Sequence, residues 1–430
     1  MSKNIMVAER TLKEIRQEIL SSNADLFLRA LIHKDAKEEI RKVINQDKRL
    51  QSKEEQDYAF NELVGLGFFE DLIGDDSITD IGFNGKHLFI DNANGKYEYE
   101  GAVSEEDIIR VATRFAQAVN KEFTPKRPIL DAQLDNMRIN AVHKSISRLG
   151  TTMSIRMARA KRVLNEDNYN LMAPVETYDL LRSFVEIGSN VMIAGEVGTG
   201  KTELTKLLAG FIPNHMKTIM IEDVLETHLK TLYPEKDILS WLVTETTDYS
   251  NLIKAGLRNN PDYLIISEVR GEEASDFYDG ILSSHSGITS IHAMSVRAIE
   301  DRFINMIRRK NPNLDVESYK KDIYRYFDLA IHIEKTVVNG KVRRYISEIA
   351  EYTDQGLKTL YKQTMKYNHE ASYNVHFGRM SQQTLLELSK YGVECQWNEH
   401  VFNLYKNEAS EKSKYGYKFI DEEDFKNEAF

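Results

Sequence analysis

Cysteine is almost missing from this 430-residue chain: Cys395 stands alone. No disulfide can form within the chain, a zinc site built from several cysteines is excluded, and a reducing, cytosolic setting is expected. Proline is scarce as well, and its 7 residues with 22 glycines leave little material for long linkers or disordered stretches. No run approaches the roughly 18 apolar residues needed for a membrane span. The first twenty residues, MSKNIMVAERTLKEIRQEIL, carry charges throughout and read as an amphipathic helix, not a signal peptide. A soluble protein is therefore expected, held at a membrane only by something else. An excess of positive charge is missing too. The formal net charge of −10 is spread along the chain and gives no strong nucleic-acid signal.

What remains is an ordinary globular composition, long enough for two or three domains. Five segments differ in texture. Residues 1–60 are charged and helical in pattern. Residues 61–156 mix short strands (HLFID, MRINAV, TTMSIR) with the helix EEDIIRVATRFAQAV, the pattern of a small α+β domain. Residues 157–188 form a linker and the lead-in helix VETYDLLRSFVEIG. Residues 189–353 alternate apolar strands (NVMIAG, TIMIED, YLIISE, ITSIHA, DLAIHIE) with helical patterns, which predicts an α/β domain with a mostly parallel sheet. Residues 354–430 form a tyrosine- and lysine-rich extension whose sequence offers one helix, QQTLLELSKYG.

The loudest motif runs Gly195, Glu196, Val197, Gly198, Thr199, Gly200, Lys201, Thr202. It fits the glycine-rich phosphate loop in full, with an apolar strand before it and an amphipathic helix after it, and the run through Glu203 is expected to bind the nucleotide. Glycines let backbone N–H groups turn inward around phosphate oxygens, and the helix N-terminus adds a positive dipole end. Lys201 is expected on the β- and γ-phosphates and the Thr202 hydroxyl on magnesium. A nucleoside triphosphate is the predicted ligand.

A second strand, YLIISE, ends in Glu268, with Ser267 where many such proteins carry aspartate. Placed beside the loop strand, Glu268 would sit near the γ-phosphate and magnesium and polarise water; the plain alternative is an acid that merely ends a strand. The run Glu222, Asp223, Glu226 reads equally as a solvated loop or as ligands at a strand end. His292 closes another strand, where it can sense the γ-phosphate, whereas His143 and His400 read as packing residues. No cluster around His285 and His292 has the spacing of a metal site.

In this order and spacing the four motifs resemble the secretion ATPase superfamily, the hexameric motors of type II and type IV secretion, tight-adherence pilus assembly and conjugation. IEDVLE is similar to its aspartate box, PDYLIISEVRG to its Walker B segment and SHSGITSIHAMS to its histidine box. GLGFFEDLIGDDSITDIGFNG resembles the opening of its N-terminal domain, and LDAQLDNMRINAV and MSIR its arginine-bearing strands. Ser267, Ser284 and Met294 depart from the usual family residues, and the tetracysteine insertion of the type II and pilus-extension branches is absent.

The resemblance implies a P-loop (RecA-like) domain preceded by the smaller α+β domain and the helical N-terminal segment. It implies ATP and Mg²⁺ as cofactors, with Thr202, Asp223 and Glu268 around the metal and Glu268 or Glu222 acting on water. It implies that Arg138 and Arg156 act on the phosphates, and that Arg258 and Arg270 lie at or near a subunit interface beside the nucleotide. A homohexamer on inner-membrane platform proteins, cytoplasmic and peripheral to the membrane, is the expected setting. Two other readings stand: a nucleic-acid-translocating ATPase using the basic stretches RMARAKR and NMIRRK, and a slow nucleotide-binding regulator.

Overall fold

The computed structural model describes residues 7–30, 34–66, 68–92, 95–134, 136–244, 246–338, 341–368, 370–406 and 417–419. The expected N-terminal helix lies outside these residues over its first six positions, as does most of the chain beyond residue 406. Where the sequence texture draws five segments, the chain separates into two compact units, Met1–Arg159 and Ala160–Phe430. No helix among the described residues is long and apolar enough to cross a membrane.

The first unit opens with helices α1 (Glu9–Ala30), α2 (Lys34–Asn45) and α3 (Lys53–Leu63). Ile15, Ile19, Ile40, Ile44, Phe60 and Leu63 bury one another between them. A capping box starts α3: the Ser52 side chain accepts the Glu55 N–H, and Glu55 returns the bond to the Ser52 backbone. After α4 (Phe69–Gly74) come β1 (Ile78–Phe83), β2 (Leu88–Asn92), β3 (Gly95–Glu98), α5 (Glu105–Ala118), β4 (Ile129–Leu134), β5 (Met137–Val142) and β6 (Thr152–Met157). The strands form one antiparallel sheet in the order β3-β2-β1-β6-β5-β4. Burial alternates along β5 and β6, so Met137, Ile139, Ala141, Met153, Ile155 and Met157 enter the core. The residues between them, Arg138 and Arg156 included, are left on the exposed face.

The second unit starts with a 3₁₀ turn (Glu166–Leu171) and α6 (Glu176–Glu186). Then follow β7 (Val191–Gly195), α7 (Lys201–Phe211), β8 (Thr218–Glu222), α8 (Leu229–Leu232), β9 (Ile238–Leu242), α9 (Tyr249–Leu257), β10 (Tyr263–Val269), α10 (Glu273–Leu282), β11 (Ser286–Ile291), α11 (Val296–Lys310), α12 (Val316–Tyr326) and β12 (Leu329–Val338). Strands β12-β7-β11-β10-β8-β9 run parallel. Every residue of β7 is buried: Val191 and Ile193 join one core with α6 and α7, while Met192 and Ala194 join the other with α9 to α12. That two-sided burial is why the inner strands read as continuous apolar runs, whereas the edge strand β9 is only partly buried.

Two expectations need correction here. The Glu268 strand, β10, does not lie beside the loop strand, because β11 runs between them. The histidine-bearing segment is thus the direct neighbour of the loop, and Glu268 reaches it from one strand further out. The region after Thr353 also holds far more than one helix. β13 (Lys341–Thr353) closes the preceding segment, and after it come β14 (Gly356–Asn368), β15 (Glu370–Phe377), α13 (Gln382–Tyr391), α14 (Trp397–Lys406) and β16 (Tyr417–Phe419). These strands extend the sheet beyond β12, antiparallel from β12 to β15.

Leu388, Trp397, Val401 and Leu404 belong to the same apolar cluster as the loop helix. Buried Glu351 on β13 accepts the Ser381 N–H at 2.9 Å and the Ser381 and Thr384 hydroxyls, fixing the start of α13. Trp397 packs on Phe377, and its indole N–H donates to Gly378 O at 2.8 Å. Trp397→Ala is therefore expected to lower the stability of the whole second unit by about 3–5 kcal/mol, read by denaturant melts. A melt unchanged within about 0.5 kcal/mol would show that the extension is not part of this core.

Candidate nucleotide site

The loop between β7 and α7 turns on three glycines with positive φ: Gly195 at 153°, Gly198 at 76° and Gly200 at 104°. A Cβ at Gly195 would stand 2.5 Å from Ile333 O of β12, so β12 leaves no room for a side chain there. Lys201 is buried, and its ammonium donates to Gly195 O at 2.8 Å and Glu196 O at 3.0 Å. Burial lowers its pKa, opposed chiefly by the charge of Glu268. Thr199 is buried and donates its hydroxyl to Glu196 O. Thr202 Oγ1 lies 3.5 Å from Glu226 Oε2. Glu203 faces away from the loop, accepting Val163 N–H at 2.9 Å and the Lys206 ammonium at 2.8 Å.

His292, just past β11, bridges the loop and the acid. Its Nδ1 is 3.1 Å from Gly195 O and 3.4 Å from Lys201 Nζ, and its Nε2 is 2.7 Å from Glu268 Oε1. That last approach lacks hydrogen-bond geometry, so Glu268 Oε1 is buried without a hydrogen-bond partner. The other oxygen, Oε2, accepts from Arg270 Nη2 at 2.8 Å, and Arg270 Nη1 donates to Asp223 at 2.8 Å. Arg270 therefore ties the ends of β8 and β10 together, and its bond to Glu268 chiefly holds its own proton more tightly than usual. Asp223 is engaged by Arg270, not by Thr202.

Glu222 is fully buried, and both of its oxygens serve its own loop. Oε1 accepts the N–H groups of Glu226 (2.6 Å) and Thr227 (3.0 Å), and Oε2 the Thr227 hydroxyl (2.5 Å). Burial raises its pKa, and these bonds partly offset the rise. Glu222 thus shapes the turn that brings Glu226 to Thr202. Of the two glutamates considered for action on water, Glu268 is the one with an oxygen left over.

Other assigned residues fall outside this cluster. Arg258 is exposed at the C-terminal end of α9 and makes no hydrogen bond or ion pair to these loops. Arg138 and Arg156 belong to the first unit, where the register sets them opposite each other and Arg156 opposite Asp80. Two like charges facing across a sheet repel. Asp80, 3.0 Å from Arg156, and Asp131, 3.5 Å from Arg138, offset this.

Two residues near the loop carry no assignment from the sequence, Lys335 and Arg344; Glu226, one of the three carboxylates read either as a solvated loop or as ligands, stands beside Thr202. Lys335 Nζ donates to Val197 O at 2.5 Å and Arg344 Nε to Gly198 O at 2.9 Å. For Lys335 and Arg344 the sequence offers only basic residues within the stretches IEKTVV and KVRRYIS, an ordinary feature of a half-exposed strand.

Known proteins match this arrangement. The profile of the family described as "Type II/IV secretion system protein" matches residues 99–396. An uncharacterised protein of Bacillus anthracis is 38% identical over 395 residues, covering 87% of this chain and 89% of its own length. The type IV secretion system protein VirB11 of Brucella suis is 30% identical over 317 residues, covering 64% and 86%. The X-ray structure of the Yersinia pseudotuberculosis ATPase DotB shares the fold, with a TM-score of 0.52 at 14% identity over 84% of this chain and 91% of that one. By its motifs and by these matches, the chain belongs to the type II/IV secretion system protein family.

Proposed function

We propose that this chain hydrolyses ATP with Mg²⁺ and works as a motor for a secretion, conjugation or pilus-assembly machine. Its copies would form a ring of six on inner-membrane platform proteins at the cytoplasmic face. The observation that carries the hydrolytic reading is Glu268: a buried carboxylate oxygen without a hydrogen bond, beside a complete phosphate loop. The residues present fit the implied ligands. Three positive-φ glycines and a buried ammonium suit a polyphosphate, and the Thr202 hydroxyl beside the Glu226 carboxylate suits a hard divalent cation.

In this reading Lys201 exchanges its loop carbonyls for phosphate oxygens. Thr202, with Glu226, Asp223 and Glu268, would hold a divalent cation, which would supply charge neutralisation to the phosphates. Glu268 Oε1 orients water while Arg270 fixes Oε2, and His292 joins the acid to the loop. Arg138 and Arg156 are assigned to the charge that develops on the transferred phosphoryl, with Arg258 and Arg270 near a subunit interface. In the basic stretches of the nucleic-acid reading Lys161, Arg162 and Arg308 are exposed, while the other four basic residues are engaged within the chain. Arg156 pairs with Asp80, Arg159 donates to Ile73 O and Asp75 O, Arg309 to Arg270 O, and Lys310 to Asp276.

Glu268→Gln should lower kcat roughly 10²- to 10⁴-fold while Mg-ADP still binds; a hydrolysis rate equal to wild type would remove Glu268 from the mechanism. The pH dependence has a definite sign. Lys201 must be charged, and its lowered pKa means the proton is lost before the 10.5 of an ordinary lysine. So kcat/KM should fall on the alkaline side below that pH, and a plateau reaching it would contradict the assignment.

A further inference from the structure

The carbonyl oxygens of residues 195–198 all carry side-chain donors. Lys201 Nζ serves Gly195 O and Glu196 O, and Thr199 Oγ1 also serves Glu196 O. Lys335 Nζ serves Val197 O at 2.5 Å, and Arg344 Nε serves Gly198 O at 2.9 Å. Across a trans peptide plane the next residue's N–H points the opposite way from the carbonyl. Holding these four carbonyls therefore aims the N–H groups of Glu196, Val197, Gly198 and Thr199. Lys201 must let go when phosphate arrives, since its ammonium is the group that meets the phosphates. Lys335 and Arg344 have no such second duty and can keep their two carbonyls throughout.

Their origin supports a built arrangement. β12 pairs with the loop strand up to Ile333 opposite Gly195, and two residues further on Lys335 sits opposite Arg344 of β13. Both donors thus come from one registered pair overhanging the loop. Arg343, the neighbouring base, is exposed and opposes Thr336, as expected for a solvated position. A cationic donor makes a stronger bond to a carbonyl than a neutral one, and it polarises the peptide so that its N–H end is more positive. Arg344 is partly buried and Lys335 exposed, so Arg344 is the stronger of the two.

We propose that Lys335 and Arg344 are positioning residues for nucleotide binding. They hold the phosphate loop with its N–H groups inward before the ligand arrives, without touching the ligand. The inference rests on the ATP-hydrolysing reading of the same site. It also makes β13, the strand that carries the C-terminal strands and anchors α13, a mechanical neighbour of the nucleotide.

The test compares the full-length wild type with Arg344→Ala, Arg344→Lys and Lys335→Met, measuring ATP hydrolysis and Mg-ADP affinity. A pre-set loop binds phosphates alike in ground and transition states. Its loss should therefore raise KM and the ADP Kd together, roughly three- to tenfold, with kcat moving far less. Arg344→Lys should recover part of the loss. Unchanged KM and Kd in both Arg344→Ala and Lys335→Met would overturn the proposal. A fall in kcat at constant KM would overturn it too, making Arg344 a catalytic residue. Should Arg344→Ala fail to fold, Lys335→Met decides, because an exposed side chain is removed without disturbing the core. Failure of the wild type itself to bind ADP would instead refute the nucleotide reading, a result distinguishable from either of these.

Discussion

A backbone that must present its N–H groups to a phosphate must hide its carbonyls elsewhere, and the second unit is arranged around that constraint. Glycines supply the positive φ values at residues 195, 198 and 200. The carbonyls so exposed are taken by Lys201, Thr199, Lys335 and Arg344. Strand β7 holds one end of the loop at the centre of a sheet buried on both faces, and the apolar side of α7 holds the other. Moving either anchor would tilt the peptide planes together.

The charges beside the loop form a second, dependent layer. Burial disfavours the Lys201 ammonium, and the negative charge of Glu268 opposes that effect. Arg270 then joins Glu268 to Asp223, so the ends of two strands share one guanidinium. Glu222 contributes inside its own turn and sets where Glu226 stands.

The loop was legible in the sequence because its chemistry is local. Eight consecutive residues carry the glycines, the ammonium and the hydroxyl, between an apolar strand and an amphipathic helix. Five of the six parallel strands were legible for a related reason, since burial on both faces writes a continuous apolar run; the edge strand β9, ILSWL, is only partly buried and was not read. Strand order was not, since nothing in YLIISE or ITSIHA records which of them neighbours NVMIAG. The strands β14 and β15 were missed because lysines, tyrosines and other polar residues break up the apolar positions there, in GLKTLYKQTMKYN and EASYNVHF, and imitate a solvated extension. Lys335 and Arg344 were illegible in kind. Each looks like a base on a solvated strand, and only the register that sets them opposite each other over the loop makes them donors to it. Glu226 was visible as a charge, but its nearness to Thr202 depends on the turn that Glu222 closes.

The measurement that tests this account most directly is the steady-state rate of Mg-ATP hydrolysis per subunit as protein concentration is raised. A motor whose sites are completed by neighbouring copies predicts a rate that climbs steeply and then saturates. A rate that stays flat and slow at every concentration would contradict it, and the chain would then be a nucleotide-binding regulator whose subunits work alone.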